Sequence, residues 1–185
     1  MLFVLDRDGV INFDSAEYIK KPDEWIPIPN SIEAIALLNA AGHRVVIATN
    51  QAGIGRNLFT RETLQKIHEK MCDAVEAVGG KIDHIYFCPH RPDEFCDCRK
   101  PKPGLLHQIQ RDYQIESHEM VFIGDSVRDF EAAIAASCPF TLVRTGNGRE
   151  AEKIISSISE VSIFDDLNVA VKFFTQNNPF MLTQA

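Results

Sequence analysis

The sequence has 185 residues, which is enough for one domain to bury most of its apolar surface without disulfides. Its hydrophobic fraction of 45% and charged fraction of 24% are typical of an ordinary globular protein. The formal net charge of −7 argues against a nucleic-acid-binding surface, and no apolar run is long enough to span a membrane.

Strands and helices alternate along the sequence. Short apolar runs rich in β-branched and aromatic residues predict five strands, at 2–5, 44–49, 84–88, 120–124 and 140–143. Helical spacing of apolar residues predicts helices that open at Asn30 and Thr60, at about 104–113 and at 126–136, followed by a weaker helix, strand and helix. Asn30 is predicted to cap the first helix, with Glu33 reaching back to its backbone.

The predicted strands show no alternation of polar and apolar residues, which indicates that both faces of the sheet are covered. This pattern is typical of an α/β domain with a doubly wound, mainly parallel sheet. No repeat, low-complexity tract or linker divides the sequence, so residues 1–185 are predicted to form a single domain. The segments between strands are too short for a cap domain, and we expect small loops to shield an open site.

The N-terminal apolar run ends at Asp6 and has no basic residues before it, so we expect no signal peptide and a cytoplasmic location. The five cysteines are an odd number, which disfavours a disulfide framework. Cys72 and Cys138 stand alone and are interpreted as small buried residues.

Polar residues follow the predicted strands at the edge where α/β domains bind ligands. Taken singly, each has an ordinary interpretation as a helix cap, a turn residue or a solvated side chain. Their coincidence at one edge favours a site, and a set of oxygen ligands there suits Mg²⁺. The residues concerned are Asp6, Asp8, Thr49, Asn50, Gln51, Arg99, Lys100 and Asp125.

A second cluster combines three thiols and an imidazole within eleven residues: Cys88, His90, Cys96 and Cys98. This set predicts a tetrahedral Zn²⁺ site, which would be structural because four protein ligands leave no position for water. The spacings are tighter than those of zinc fingers, so free or redox-active cysteines remain the alternative.

Four segments resemble, in order, the motifs of the haloacid dehalogenase-like phosphatases: DRDGV (6–10), TNQ (49–51), CRKPKPG (98–104) and GDSVRD (124–129). Together with the cysteine cluster, they are similar to a narrower group that removes the 7-phosphate of D-glycero-D-manno-heptose 1,7-bisphosphate, and to the histidinol phosphatases. Residues 6–35 and 142–150 look closer to the heptose enzymes.

The resemblance implies a role for each motif residue. Asp6 would attack phosphorus and form an aspartyl-phosphate, while Asp8 would act as general acid and then general base. The Asp6 carboxylate, the Asp8 backbone carbonyl and Asp125 would hold Mg²⁺. Thr49, Lys100 and the Asn50 backbone would stabilise the phosphoryl oxygens.

The resemblance also implies substrate contacts from Arg99, from Gln51 and from the loop residues Asp14, Ser15, Glu17 and Tyr18. The zinc-binding loop would aim Arg99 and Lys100 at the site. Ser126 stands where some family members carry lysine, and Arg128 is a candidate for the missing cation.

We therefore expect a Mg²⁺-dependent phosphatase for a small phosphorylated sugar in the synthesis of lipopolysaccharide core precursors. We expect the protein to be a monomer and to bind neither nucleic acid nor a membrane. Two alternatives stay open at this point. One is a phosphatase for histidinol phosphate or another small phosphomonoester, and the other is a zinc-stabilised binding module without catalysis.

Overall fold

The computed structural model describes residues 1–159 and 161–176. Six parallel strands form one sheet in the order β3-β2-β1-β4-β5-β6. The strands are β1 (Leu2–Leu5), β2 (Arg44–Asn50), β3 (His84–Cys88), β4 (Met120–Gly124), β5 (Phe140–Val143) and β6 (Ser162–Phe164). The predicted doubly wound α/β class is confirmed, and the sixth strand is the one expected in the weaker C-terminal part.

The helices connect these strands. They are α1 (Ser31–Ala40), α2 (Ala52–Gly55), α3 (Arg61–Ala77), α4 (Gly104–Tyr113), α5 (Val127–Ala135), α6 (Gly148–Ile155) and α7 (Leu167–Gln176). Short 3₁₀ turns lie at Pro22–Glu24, Pro92–Glu94 and Ser117–Glu119. The helical segments predicted from apolar spacing are confirmed, and the structure adds the short helix α2.

The two faces of the sheet pack against different helices. Alternate residues of β1 point to opposite sides, so Phe3 and Leu5 belong to one core and Leu2 and Val4 to the other. The first core includes α1, α3 and α7, and the second includes α4 and α5. A smaller cluster joins α5 and α6. Covering both faces explains why the strands are apolar without interruption.

One prediction about helix capping is wrong. Asn30 precedes α1 with φ of 63° and makes no side-chain capping bond. In this left-handed conformation the side chain does not occupy the position from which an N-cap accepts a backbone N–H. The start of α1 is fixed instead by the buried Ser31 hydroxyl, which donates to the carbonyl of Ile11 at 2.6 Å.

The sheet order places the ends of β1, β2 and β4 side by side, because β1 pairs with β2 on one side and with β4 on the other. All strands run in the same direction, so their carboxyl ends meet at one edge. Within the described ranges, no helix combines the length and apolar content needed to cross a membrane. The domain predicted for 1–185 includes 160 and 177–185, which lie outside the described residues.

Candidate active site

Asp6 lies at the end of the central strand. Its backbone N–H donates to Ile123 of β4 at 3.0 Å, so this residue is still held by the sheet. One carboxylate oxygen, Oδ1, accepts from the Arg7 backbone N–H at 2.8 Å and lies 2.9 Å from the Lys100 ammonium. The side chain reaches the floor of a cavity of about 210 Å³. A carboxylate fixed in this way is a suitable nucleophile.

Lys100 is the positive charge beneath the cavity. Its side chain is 2% exposed, and its ammonium lies 2.6 Å from Asp129 Oδ1 and 2.9 Å from the carbonyl of Ala48. Burial acts to lower the pKa of Lys100, but the charges of Asp129 and Asp6 outweigh burial and raise it. The lysine is therefore a buried cation at neutral pH.

Three carboxylates surround one point at this edge of the sheet. Oxygen atoms of Asp6, Asp125 and Asp129 lie within 4.8 Å of one another. Burial, together with the negative charge of Asp129, raises the pKa of Asp6 to about 7 against the opposing charge of Lys100. Burial and the charges of Asp129 and Asp6 raise the pKa of Asp125 to about 8. One ammonium, that of Lys100, faces three carboxylates. A hard divalent cation such as Mg²⁺ fits both the remaining negative charge and the oxygen ligands.

Asn147 holds the Asp125 carboxylate in place. Its backbone N–H donates to Asp125 Oδ2 at 2.7 Å, and its side-chain amide lies 3.3 Å from the same oxygen. The amide also donates to Asp14 at 3.3 Å, which links the loop after β1 to Asp125. Gly146 and Asn147 lie in the turn after β5, which the sequence analysis did not assign to the site.

The Asp8 carboxylate lines the same cavity and is held by donors from three side chains. Arg7, which is fully buried, donates from Nε at 3.1 Å and from Nη2 at 2.9 Å. Asn12 and Gln51 donate from their amides at 2.9 and 3.0 Å. Burial acts to raise the pKa of Asp8, but the charge of Arg7 and these hydrogen bonds hold it below its usual value.

The buried side chain of His68 contacts the Arg7 guanidinium. Burial lowers the pKa of His68 to about 3, so the ring is neutral. Its Nε2 can then accept from Arg7 Nη1, which lies 3.3 Å away. His68 belongs to α3, and this contact ties the helix to the loop that carries Asp8.

Thr49 and Asn50 end β2, and Gln51 follows it. Thr49 is 1% exposed and lines the cavity, where its hydroxyl accepts from the Gln51 amide at 2.9 Å. The Asn50 amide donates to the Lys100 carbonyl at 3.0 Å and accepts from the Lys100 backbone N–H at 3.1 Å. Gln51 bonds Asp8, Thr49 and Arg7, so its polar atoms are already engaged. Asn50 and Gln51 line the cavity while also fixing their neighbours.

Two guanidiniums lie at the mouth of the cavity. Arg99 is half-buried and donates to the His90 carbonyl at 3.3 Å, and Arg128 is exposed. Burial and the neighbouring charge of Arg128 both lower the pKa of Arg99. Two like charges that line one cavity favour an anionic ligand.

Ser126 orients a carboxylate of the site, whereas residues of the loop after β1 line the cavity. The Ser126 hydroxyl donates to Asp129 at 2.6 Å and caps α5, so it orients a carboxylate. Asp14, Ser15 and Tyr18 line the cavity mouth. Glu17, predicted to contact the substrate, is exposed and does not line the cavity.

The cysteine cluster has the geometry of a metal site. The Cys88 and Cys96 sulfurs are 3.6 Å apart, and His90 Nδ1 lies 3.5 Å from Cys88 and 3.4 Å from Cys98. A disulfide requires about 2.05 Å, whereas Zn–S bonds of about 2.3 Å place two sulfurs of a tetrahedron about 3.8 Å apart. The four side chains therefore fit a structural Zn²⁺ and not a disulfide.

Four residues of the site escaped the sequence analysis: Arg7, Asn12, Asp129 and Asn147. Asp129 belongs to the GDSVRD segment, four residues after Asp125, which is the one signal that pointed to it. Arg7 lies in the DRDGV segment, and Asn12 and Asn147 lie in the longer segments 6–35 and 142–150. Their contacts with Asp8 and Asp125 depend on how the loops after β1 and β5 fold.

Comparison with known proteins places this geometry among phosphatases. A HAD-hydrolase-like family model matches residues 97–170. A D-glycero-β-D-manno-heptose-1,7-bisphosphate 7-phosphatase of Pseudomonas putida is 50% identical over 90% of this chain and 94% of its own length. One of Yersinia pestis is 38% identical over 91% of this chain and 93% of its own.

A solved structure is also similar. The D,D-heptose 1,7-bisphosphate phosphatase of B. bronchiseptica, complexed with magnesium and phosphate, superposes with a TM-score of 0.92. The two sequences are 44% identical, and the match covers 95% of this chain and 98% of that one.

Gly9→Ala is expected to damage the metal site. Gly9 has φ of +86°, and an added Cβ would lie 2.6 Å from the Asp125 carboxyl carbon. Displacing that carboxylate should raise the Mg²⁺ concentration for half-maximal activity about tenfold or more. Gly42→Ala is the matched control, because Gly42 has φ of +79° and nothing within 4 Å. A Gly9→Ala protein with unchanged Mg²⁺ dependence would contradict this assignment.

Cys98→Ala is expected to reduce bound zinc and loosen the loop that carries Arg99 and Lys100. The loss should appear as less than one Zn²⁺ per chain by elemental analysis, faster proteolysis of this loop and lower kcat. Cys72→Ala is the control, since Cys72 lies on α3 outside the cluster. Complete loss of zinc with unchanged kinetics would rule out a role for the zinc site in orienting Arg99 and Lys100.

Proposed function

Because this chain belongs to the D-glycero-β-D-manno-heptose-1,7-bisphosphate 7-phosphatase family of HAD-like hydrolases, we propose that it removes the 7-phosphate of that sugar bisphosphate. The product would be a heptose 1-phosphate, a precursor for ADP-heptose and the lipopolysaccharide core. The observation that carries the proposal is the cavity floor, where Asp6, Lys100 and Asp125 meet beside Asp8.

The reaction proceeds through the two carboxylates after β1. An Asp6 oxygen attacks phosphorus, the bond from phosphorus to the sugar oxygen breaks, and Asp8 gives its proton to that oxygen. A neighbouring phosphate dianion favours the protonated form of Asp8, because like charges repel. Asp8 then takes a proton from the water that hydrolyses the aspartyl-phosphate, which restores both groups.

The other residues of the site are proposed to stabilise the phosphoryl oxygens or to bind Mg²⁺. Lys100, the Thr49 hydroxyl and the Asn50 backbone N–H are proposed to stabilise the phosphoryl oxygens. Asp6, Asp125 and the Asp8 backbone carbonyl would hold Mg²⁺. When bound, Mg²⁺ supplies the positive charge that lets an anionic nucleophile approach an anionic phosphate.

The second phosphate of the substrate is proposed to lie between Arg99 and Arg128. Both line the cavity, and a guanidinium binds phosphate through two parallel hydrogen bonds. Asp14, Ser15 and Tyr18 would contact the sugar hydroxyls. Glu17 is exposed outside the cavity lining, so its proposed contact requires movement of this loop.

Two alternatives can be weighed against the same geometry. Histidinol phosphate carries one phosphate and an ammonium, which two guanidiniums at the mouth would repel. A binding module without catalysis would not need a nucleophile and an acid–base carboxylate oriented at one cavity floor. The cytoplasmic location and the monomeric state stay predictions.

The substrate is tested by measuring kcat/KM with Mg²⁺ on three compounds: the β-heptose 1,7-bisphosphate, its α anomer and L-histidinol phosphate. We expect the highest value for the β-heptose, as the names of the relatives indicate. Asp6→Asn should abolish turnover of all three, since the amide cannot form the acyl phosphate. A preference for histidinol phosphate would overturn the proposed substrate while leaving the chemistry intact.

The second-phosphate contact is tested with Arg99→Ala and Arg128→Ala. Each should raise KM for the bisphosphate about tenfold or more, because a charge-assisted hydrogen-bond pair is lost. With heptose 7-phosphate, which lacks the second phosphate, the same variants should change KM by no more than about twofold. Equal losses on both substrates would mean that the arginines contact some other part of the substrate.

A further inference from the structure

Trp25, the only tryptophan of the chain, lies in the segment between β1 and α1. Its side chain is 2% exposed and packs in the core with α1 and α3. Lys70 of α3 donates to the carbonyls of Trp25 at 3.2 Å and of Pro22 at 2.8 Å, which fixes the backbone of this segment. The indole therefore has a defined position although it stands in a loop.

The indole N–H donates to the side chain of Asn12. Trp25 Nε1 lies 3.0 Å from Asn12 Oδ1, and Asn12 is fully buried. Because the amide oxygen is taken by the indole, the amide nitrogen must face the other way. There it donates to Asp8 Oδ1 at 2.9 Å and to the Phe13 carbonyl at 2.9 Å. If the Asn12 amide were flipped, its NH₂ group would face the Trp25 indole N–H, and two donors would oppose each other.

We propose that Trp25, acting through Asn12, is a positioning residue for the Asp8 carboxylate. The Arg7 guanidinium and the side-chain amide of Gln51, the residue after β2, donate to the same carboxylate. The Asn12 amide holds it from the loop side, so the carboxyl group cannot rotate about its Cβ–Cγ bond without losing a donor. Trp25 fixes which atom Asn12 presents.

The proposal rests on the acid–base role given to Asp8 under the proposed function, and it has a chemical signature. When the bond from phosphorus to a sugar oxygen breaks, its electron pair goes to that oxygen, which must receive the Asp8 proton. A nitrophenolate leaves as a stable anion and needs no proton. Misplacing Asp8 should therefore slow cleavage of a sugar phosphate far more than cleavage of p-nitrophenyl phosphate.

The experiment compares kcat/KM for the heptose bisphosphate and for p-nitrophenyl phosphate in Trp25→Phe, which keeps an aromatic ring but has no N–H. The parameter kcat/KM covers the steps through formation of the aspartyl-phosphate. We expect about a tenfold loss with the sugar, carried by kcat with KM unchanged, and no more than about a twofold loss with p-nitrophenyl phosphate. Asn12→Ala should give the same selective loss if Trp25→Phe fails to fold.

Ser31→Ala is the matched control. It removes a buried hydrogen bond to the Ile11 carbonyl, next to Asn12. Among the described residues, the Ser31 hydroxyl is not one of the hydrogen-bond partners of the Asn12 side chain or of Asp8. The substitution should lower the melting temperature and leave the ratio of the two kcat/KM values unchanged. Melting is followed by circular dichroism, because Trp25→Phe removes the only tryptophan.

Asp8→Asn separates failure of this proposal from failure of the proposed function. A selective loss on the sugar in Asp8→Asn, with equal losses on both substrates in Trp25→Phe and Asn12→Ala, would overturn the positioning role alone. Equal losses in Asp8→Asn would overturn the acid role of Asp8, and the positioning role with it. Selective losses in all three variants would support both.

Discussion

The ion pairs of Lys100 govern the arrangement of the site. Its ammonium lies 2.9 Å from Asp6 and 2.6 Å from Asp129, in a place from which water is almost excluded. Removing one member of such a group costs about 3–5 kcal/mol, because the remaining charge keeps neither partner nor solvent. A domain is stable by only about 5–15 kcal/mol. The charges proposed to act in catalysis are therefore also charges on which folding depends.

Two contacts that start from the ends of β2 and β3 position Lys100. Asn50, at the end of β2, holds the Lys100 backbone by a donor and an acceptor. The cysteine cluster begins at Cys88, at the end of β3, and closes at Cys98, two residues before Lys100. The loop after β3 has little apolar content, and the cysteine cluster and Asn50 together fix its course from the edge strand β3 to the cavity beside β1.

The parts of the site on strand ends were predictable, since a buried parallel strand appears in sequence as an uninterrupted apolar run and its end marks the ligand edge. Asp6, Thr49 and Asp125 were found in this way, although the resemblance supplied their roles. Asp129 looks in sequence like any acidic residue in the first turn of a helix. Asn147 and Trp25 reach the site through loops without periodicity, whose paths depend on contacts between distant residues.

The central place of β1 has a consequence for how activity is lost. Its backbone is hydrogen-bonded on both sides, so its amide protons should exchange with solvent only when the whole domain opens. Asp6, the proposed nucleophile, directly follows that strand, whereas Arg99 and Lys100 lie on a loop that a partial opening can release. Such an opening would withdraw the cations while leaving the carboxylates in the sheet. The protein would then be folded by most spectroscopic criteria and yet inactive.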